Sequence, residues 1–256
     1  MGTELRLDVS TLYAFLLVLS RVSGVFVFVP LPGIKSGPDV ARVTLALSMT
    51  FILFPSWPHV DGANMNIALL IGWMIAEAGL GIAVGLATAF LAESFQMGAQ
   101  IISLQAGYTF ATTIDPTSGA DSSVLLAISQ MAAGLLFFAT GLDRQVLLAF
   151  AQSISKHPPG QFSVSPSMAN ALIEMGSSIF TTGLRIVLPL LGLLLMVEFS
   201  LALLARLNSQ LHLMQLAFPV KMVLSLTLFA WLVLVYPKVF SQSSGQVIQV
   251  IRGLLN

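Results

Sequence analysis

The stretch NIALLIGWMIAEAGLGIAVGLATAFLA covers residues 66–92 and contains a single charged side chain, Glu77. A helix needs about 20 consecutive apolar residues to cross a bilayer, and this run exceeds that length. Gly81 and Gly85 form a GxxxG pair that Ala89 extends, with Glu77 on the same helical face. Small side chains at this spacing let a second helix approach closely, so the run predicts a helix packed tightly against a neighbour.

Similar apolar runs recur along the whole chain. Breakers such as Pro30-Leu-Pro32-Gly33 and His157-Pro158-Pro159-Gly160 separate several of them and predict turns between helices. The sequence therefore predicts an all-α, polytopic protein built of hydrophobic helical hairpins and associated with a membrane. The runs lie at 10–32, 40–58, 66–92, 94–114, 122–142, 184–205 and 215–237.

The composition indicates a membrane protein for an independent reason. Of the 256 residues, 56% are hydrophobic and 9% are charged, whereas roughly 25% are charged in a typical soluble domain. So few charges cannot cover a water-facing surface. The 11 basic and 11 acidic residues balance, and the clustered cations of a nucleic-acid-binding protein are missing. The absence of cysteine excludes disulfides, thiol nucleophiles and thiolate metal sites.

Six of the charged side chains that lie within or directly beside the apolar runs are candidates for buried positions. A charge at the centre of a membrane helix costs about 2.5–3.5 kcal/mol on the insertion scale, so Arg21 is expected to face protein or water rather than lipid. The alternatives are a structural arginine that snorkels or pairs with a partner, and an aqueous path through the protein. We predict buried polar or interface positions for these six charged residues and for two glutamines, namely Arg21, Glu77, Glu93, Gln96, Gln100, Arg185, Glu198 and Arg206.

Polar residues also form a stripe along one predicted helix. Steps of three and four residues place them on one face, opposite an apolar face. Two interpretations stay open, since the stripe can line a wet path or pack as a polar seam against another helix. The stripe consists of Glu93, Gln96, Gln100, Ser103 and Gly107.

Motifs for catalysis or cofactor binding are missing. His59, His157 and His212 are isolated, and neither a phosphate-binding loop nor a serine-hydrolase elbow occurs. Asp115 and Asp121 flank a loop, where an Asp-Pro turn and a helix cap explain them better than acid–base chemistry. We predict a protein that is not an enzyme and that has neither a cofactor nor a metal.

Short motifs follow one another in a defined order along the chain. Arg21-Val-Ser-Gly24 precedes Pro30, and Phe218-Pro219 lies near the end. The most specific motif is Gln105-Ala-Gly107-Tyr-Thr-Phe110-Ala-Thr-Thr-Ile-Asp115-Pro116. Together they resemble the FliR family of flagellar export proteins, whose injectisome relatives are the SctT or SpaR proteins. The chain departs from the family pattern at Leu142, Glu198, Ala205 and Ser209.

This resemblance implies a non-enzymatic subunit of the type III protein export gate. Such proteins assemble helically with FliP-like and FliQ-like subunits into a channel for unfolded export substrates, and an FlhB-like export switch protein is a further expected partner. The single domain 1–256 would comprise a FliP-like part at about 1–180 and a FliQ-like hairpin part at about 181–256. The expected location is the bacterial inner membrane, in the flagellar basal body.

The resemblance also implies that loop 105–122 plugs the pore. Bulky apolar side chains can close a constriction by excluding water, and glycine and proline allow a non-helical path that can be displaced. The expected gating residues are Gly107, Tyr108, Phe110, Ile114, Asp115 and Pro116.

For the function of the whole chain, two alternatives to a flagellar export-gate subunit stay open. They are an export component of a virulence-type injectisome and a carrier of small solutes or ions.

Overall fold

The computed structural model describes residues 9–33, 39–58, 66–108, 124–156, 166–207 and 213–255. These residues form a short 3-10 turn, Phe54–Ser56, and seven α-helices, which confirms the predicted all-α fold. The helices are α1 (Val9–Phe28), α2 (Val40–Ile52), α3 (Ile67–Ala106), α4 (Val124–Ala139), α5 (Leu142–Lys156), α6 (Pro166–Leu207) and α7 (Leu213–Leu255).

The lengths and composition of these helices are those of a multi-pass membrane protein. In the described part of the chain, α1, α3, α6 and α7 are long and apolar enough to cross a bilayer. The consecutive helices α4 and α5 are bent by 60° relative to each other, and together they can provide a fifth span.

Helix α3 organises the fold, because α1, α4, α6 and α7 all pack against it. It begins at a cap, where the side chain of Asn66 accepts a hydrogen bond from the backbone of Ala68. Its 40 residues continue past Glu93 to Ala106, so residues 67–92 of one apolar run and 94–106 of the next belong to one helix rather than two. A polar side chain leaves the backbone hydrogen bonds of a helix intact, and therefore Glu93 does not end it.

Helix α1 crosses α3 at glycines on both helices. A Cβ atom at Gly24 would lie 2.6 Å from the carbonyl oxygen of Ala78, and one at Gly85 would lie 2.7 Å from that of Val25. A Cβ atom at Gly81 would overlap the carbonyl oxygen of Arg21. The prediction that small residues admit a close neighbour is confirmed, and that neighbour is α1.

The C-terminal helix α7 also packs against α3. Phe95 of α3 contacts Tyr236 and Phe240 of α7, with ring centroids 4.6 and 5.6 Å apart. Further along α7, Val247 and Ile251 are also buried in the same hydrophobic core. The last turns of the chain therefore pack against the protein's own helices.

Candidate functional site

A fully buried ion pair joins α1 to α3. The side chains of Arg21 and Glu77 have no exposed surface, and Arg21 Nε donates to Glu77 Oε2. Arg21 Nη1 also donates to Ser153 Oγ in α5 at 3.2 Å, and Ser153 Oγ donates to the carbonyl of Phe150 at 2.7 Å. Arg21 thus faces protein, as the cost of a charge in lipid requires, and it links three helices.

A second buried arginine, whose role the sequence did not reveal, is Arg42 of α2. Its Nη1 donates to the carbonyls of Phe26, Val27 and Val29, at 3.1 and 2.9 Å for the last two. The carbonyls of Phe26 and Val27 lie in the last turn of α1 and that of Val29 just beyond it, where the helix offers no N–H partner. Burial lowers the pKa of Arg42, opposed by nearby Asp39, but the guanidinium stays charged at neutral pH. The sequence feature that points to this role is a cation soon after the turn at 30–33, because cations favour the carboxyl end of a helix.

The polar stripe of α3 is partly covered and partly open. Glu93 and Gln96 are half-buried, and Gln96 Nε2 donates to Glu93 Oε1 at 3.2 Å. Ser103 is buried, whereas Gln100 is exposed on the surface of this chain. The stripe therefore behaves as a seam over part of its length, and Gln100 is available to water or to a partner.

The end of α3 is anchored to α6 and α7. Gly107 adopts the left-handed conformation, φ 89°, that ends the helix. The hydroxyl of Tyr108 then donates to the carbonyl of Met222 in α7 at 2.8 Å. Gln105 Nε2 donates to Glu198 Oε2 at 2.8 Å, and Glu198 Oε1 lies 3.4 Å from Lys221 Nζ. The first residues of the predicted plug loop, Gln105 and Tyr108, are thus held in place by hydrogen bonds to α6 and α7.

The remaining predicted site residues divide into two groups. Arg185 and Arg206 are exposed on this chain, and Glu198 is half exposed beside Lys221, so an interface role for them stays a prediction. Phe110, Ile114, Asp115 and Pro116 lie outside the described residues. Within the described ranges, no group of histidine and carboxylate side chains is arranged to hold a metal ion.

Comparisons with known proteins give one consistent result. The family described as "Bacterial export proteins, family 1" matches residues 12–247. The flagellar biosynthetic protein FliR of Escherichia coli (strain K12) is 31% identical over 83% of this chain and 81% of its own length. FliR of Bacillus subtilis (strain 168) is 25% identical over 94% of each chain. The Yop proteins translocation protein T of Yersinia pestis is 24% identical over 82% of each.

Proposed function

The chain belongs to family 1 of the bacterial export proteins, and on that basis we propose that it is a membrane component of the type III export apparatus that builds the flagellum. The observation that carries this conclusion is the match to flagellar biosynthetic proteins over most of the chain. The names of the relatives describe flagellar biosynthesis and translocation rather than catalysis. The proposed role is accordingly non-enzymatic.

The proposed assembly is a helical channel of this chain with FliP-like and FliQ-like subunits, placed in the bacterial inner membrane at the flagellar basal body. Unfolded export substrates would pass through it, and an FlhB-like export switch protein would be a further partner. The GxxxG crossing and the buried ion pair of α1 and α3 support a rigid subunit that other subunits can pack against. The 24% identical translocation protein T supports an injectisome component as the second candidate.

The exposed apolar face of α6 supports protein partners. Large apolar side chains are exposed along this helix from Ile173 to Leu207, among them Phe180 and Phe199. At 1.5 Å per residue this face is about 50 Å long, whereas the hydrocarbon core of a bilayer is about 30 Å thick. Lipid alone would cover the face only at a tilt beyond the roughly 0–40° found for membrane helices. Other subunits would therefore cover part of α6.

The proposed division into a FliP-like part at about 1–180 and a FliQ-like part at about 181–256 falls inside α6. This helix runs unbroken from Pro166 to Leu207 and packs against α7. The two parts would then share one continuous helix, and α6 with α7 would supply the hairpin of the second part.

We propose that loop 105–122 closes the channel at rest. Its described base supports this role, because Gly107 ends α3 and Tyr108 is tied to Met222. Gln105 and Ala106, the first two residues of this segment, belong to the last turn of α3, so the part that can be displaced while the helices stay in place begins at Gly107. The gating residues that we propose are Gly107, Tyr108, Phe110, Ile114, Asp115 and Pro116.

Deleting residues 106–119 is expected to leave the assembled channel open and to make cells leaky to ions, because the apolar closure is removed. The measurement is the ion conductance of the inner membrane in cells that express the complex. Gly79→Ala is the control, because it adds a methyl group where α3 has open space and leaves the loop unchanged. An undiminished barrier in a correctly assembled deletion complex would contradict the plug.

Tagged pull-down from mild detergent tests the proposed assembly. Co-expression with FliP-like and FliQ-like partners is expected to yield a defined complex by native mass spectrometry, while the isolated chain aggregates. A stable, partner-free chain that transports small solutes in vesicles would instead favour a carrier. In the source bacterium, loss of swimming on deletion of this gene is expected, whereas loss of effector secretion with normal swimming would favour the injectisome.

A further inference from the structure

The exposed surface of α7 changes character along the helix. Over residues 218–235 every exposed side chain except Thr227 is apolar. At 1.5 Å per residue this part is about 26 Å long, which is close to the thickness of a hydrocarbon core. Over residues 238–252 no large apolar side chain is exposed. The exposed side chains in this second part are Lys238, Ser241, Gln242, Gln246, Gln249 and Arg252.

Helix α5 has an exposed face of the same kind. Its inner face is apolar, and Val146, Phe150 and Ile154 lie in the hydrophobic core. Of the exposed side chains that the structure describes in α5, Leu148 alone is apolar. The others are Arg144, Gln145, Gln152 and Lys156.

The second part of α7 lies beside the first half of α3. Tyr108 at the end of α3 contacts the first part of α7, and Phe95 contacts Tyr236 further on, so the two helices run antiparallel. Going back along α3 from Phe95 to Glu77 covers as many residues as going forward along α7 from Tyr236 to Leu254. Glu77 therefore lies level with the last turn of α7, since each residue of either helix adds the same rise.

The buried ion pair places α5 at this same level. Arg21 joins Glu77 of α3 to Ser153 of α5, and α5 packs against α7. The exposed faces of α5 and of residues 238–252 of α7 are thus neighbours. Together they form one polar surface.

The chemistry of this polar surface fits water better than lipid or a permanent subunit contact. Amide and charged side chains are expensive in hydrocarbon. The core of a stable protein interface is enriched in aromatic residues and depleted in lysine, whereas no described aromatic side chain is exposed in α5 or in residues 238–252. The exposed charges of the surface in the described part of the chain are cations, namely Arg144, Lys156, Lys238 and Arg252.

We propose that the polar surface lines the water-filled export channel and faces the unfolded chain that passes through it. This inference rests on the proposed export function. An unfolded chain exposes peptide N–H and C=O groups, and glutamine and serine side chains exchange hydrogen bonds with these groups whatever the sequence of the chain. Conduction needs contacts weak enough to leave, and a surface with almost no apolar side chains meets that need.

Cysteine labelling of the assembled complex in lipid nanodiscs tests whether the surface faces water. The chain has no cysteine of its own, so Gln145→Cys and Gln246→Cys each introduce a single thiol into it. A charged, water-soluble maleimide is expected to label both. Leu234→Cys is the matched control, because Leu234 is exposed on the apolar part of the same helix, and it should stay unlabelled.

Two labelling results would overturn the proposal. Absence of label at both Gln145→Cys and Gln246→Cys would show that another subunit covers the polar surface. Equal labelling of Leu234→Cys would show that the assembled complex does not distinguish the two parts of α7.

A stalled substrate separates the channel from the outside of the complex. A flagellar subunit of the source bacterium, fused to a stably folded domain, is expected to stop in the channel. Labelling of Gln145→Cys and Gln246→Cys should then fall to the background of the unchanged chain, and a thiol-reactive crosslinker at either position should attach the substrate. Undiminished labelling with the substrate bound would place the surface outside the channel and overturn this inference alone. Failure of the stalled substrate to co-purify with the complex would contradict the export function itself.

Discussion

Replacing Glu77 with leucine is expected to lower the free energy of unfolding by about 3–5 kcal/mol, because the change leaves Arg21 buried without its counter-charge. Both side chains are fully buried in the structure, so water cannot take the place of the carboxylate. The melting temperature of the detergent-purified complex of this chain with its partner subunits should fall by roughly 10 °C.

The double variant Arg21→Leu with Glu77→Leu separates the ion pair from simple loss of packing. It removes both charges together, and replacing a buried pair by apolar side chains is often neutral. Ser153 keeps its hydrogen bond to the carbonyl of Phe150 in this variant. We therefore expect the double variant to recover most of the lost stability, while Glu174→Gln at an exposed site changes little. A Glu77→Leu protein that melts like the unchanged chain would show that the pair contributes nothing.

The sequence predicted that Arg21 must avoid lipid, but it did not identify the carboxylate that pairs with it. Glu77 and Glu93 both lie on α3. The choice between them depends on where α1 crosses α3, and that crossing is set by backbone contacts at Gly81 and Gly85. The GxxxG spacing predicted a close neighbour without identifying it, because spacing within one helix contains no information about its partner.

Contacts between helices account for most of what the sequence did not predict. Arg42 caps the end of α1 because α2 folds back across it, and Glu198 meets Lys221 because α6 packs on α7. Each of these pairs depends on tertiary packing rather than on local pattern. The plug prediction does not depend on these contacts, because it comes from the resemblance to the family. Most of the plug residues lie outside the described part of the chain.

Replacing Gly81 with alanine is expected to destabilise the fold by at least about 3 kcal/mol, the upper range for overpacking a well-packed site. The added Cβ would overlap the carbonyl oxygen of Arg21, a backbone atom that no side-chain rotation can move. Helix α1 must then move away from α3, which also pulls Arg21 away from Glu77. The expected readouts are a lower melting temperature and loss of the complex in the pull-down.

Gly79 provides the matched control for this prediction. It lies two positions earlier on α3, and a Cβ atom there would meet nothing within 4 Å. Gly79→Ala should therefore be neutral or stabilising by about 0.5–1 kcal/mol, because alanine favours the helix. The opposite signs of the two glycine variants distinguish a close helix crossing from a general intolerance of substitution. If the Gly81→Ala and Gly79→Ala variants have the same melting temperature, α1 does not approach α3 as closely as the structure shows.

If Gly81→Ala lowers the melting temperature, it should be combined with Glu77→Leu. The double variant should lose less free energy of unfolding than the sum of the two single losses, since both changes loosen the same crossing.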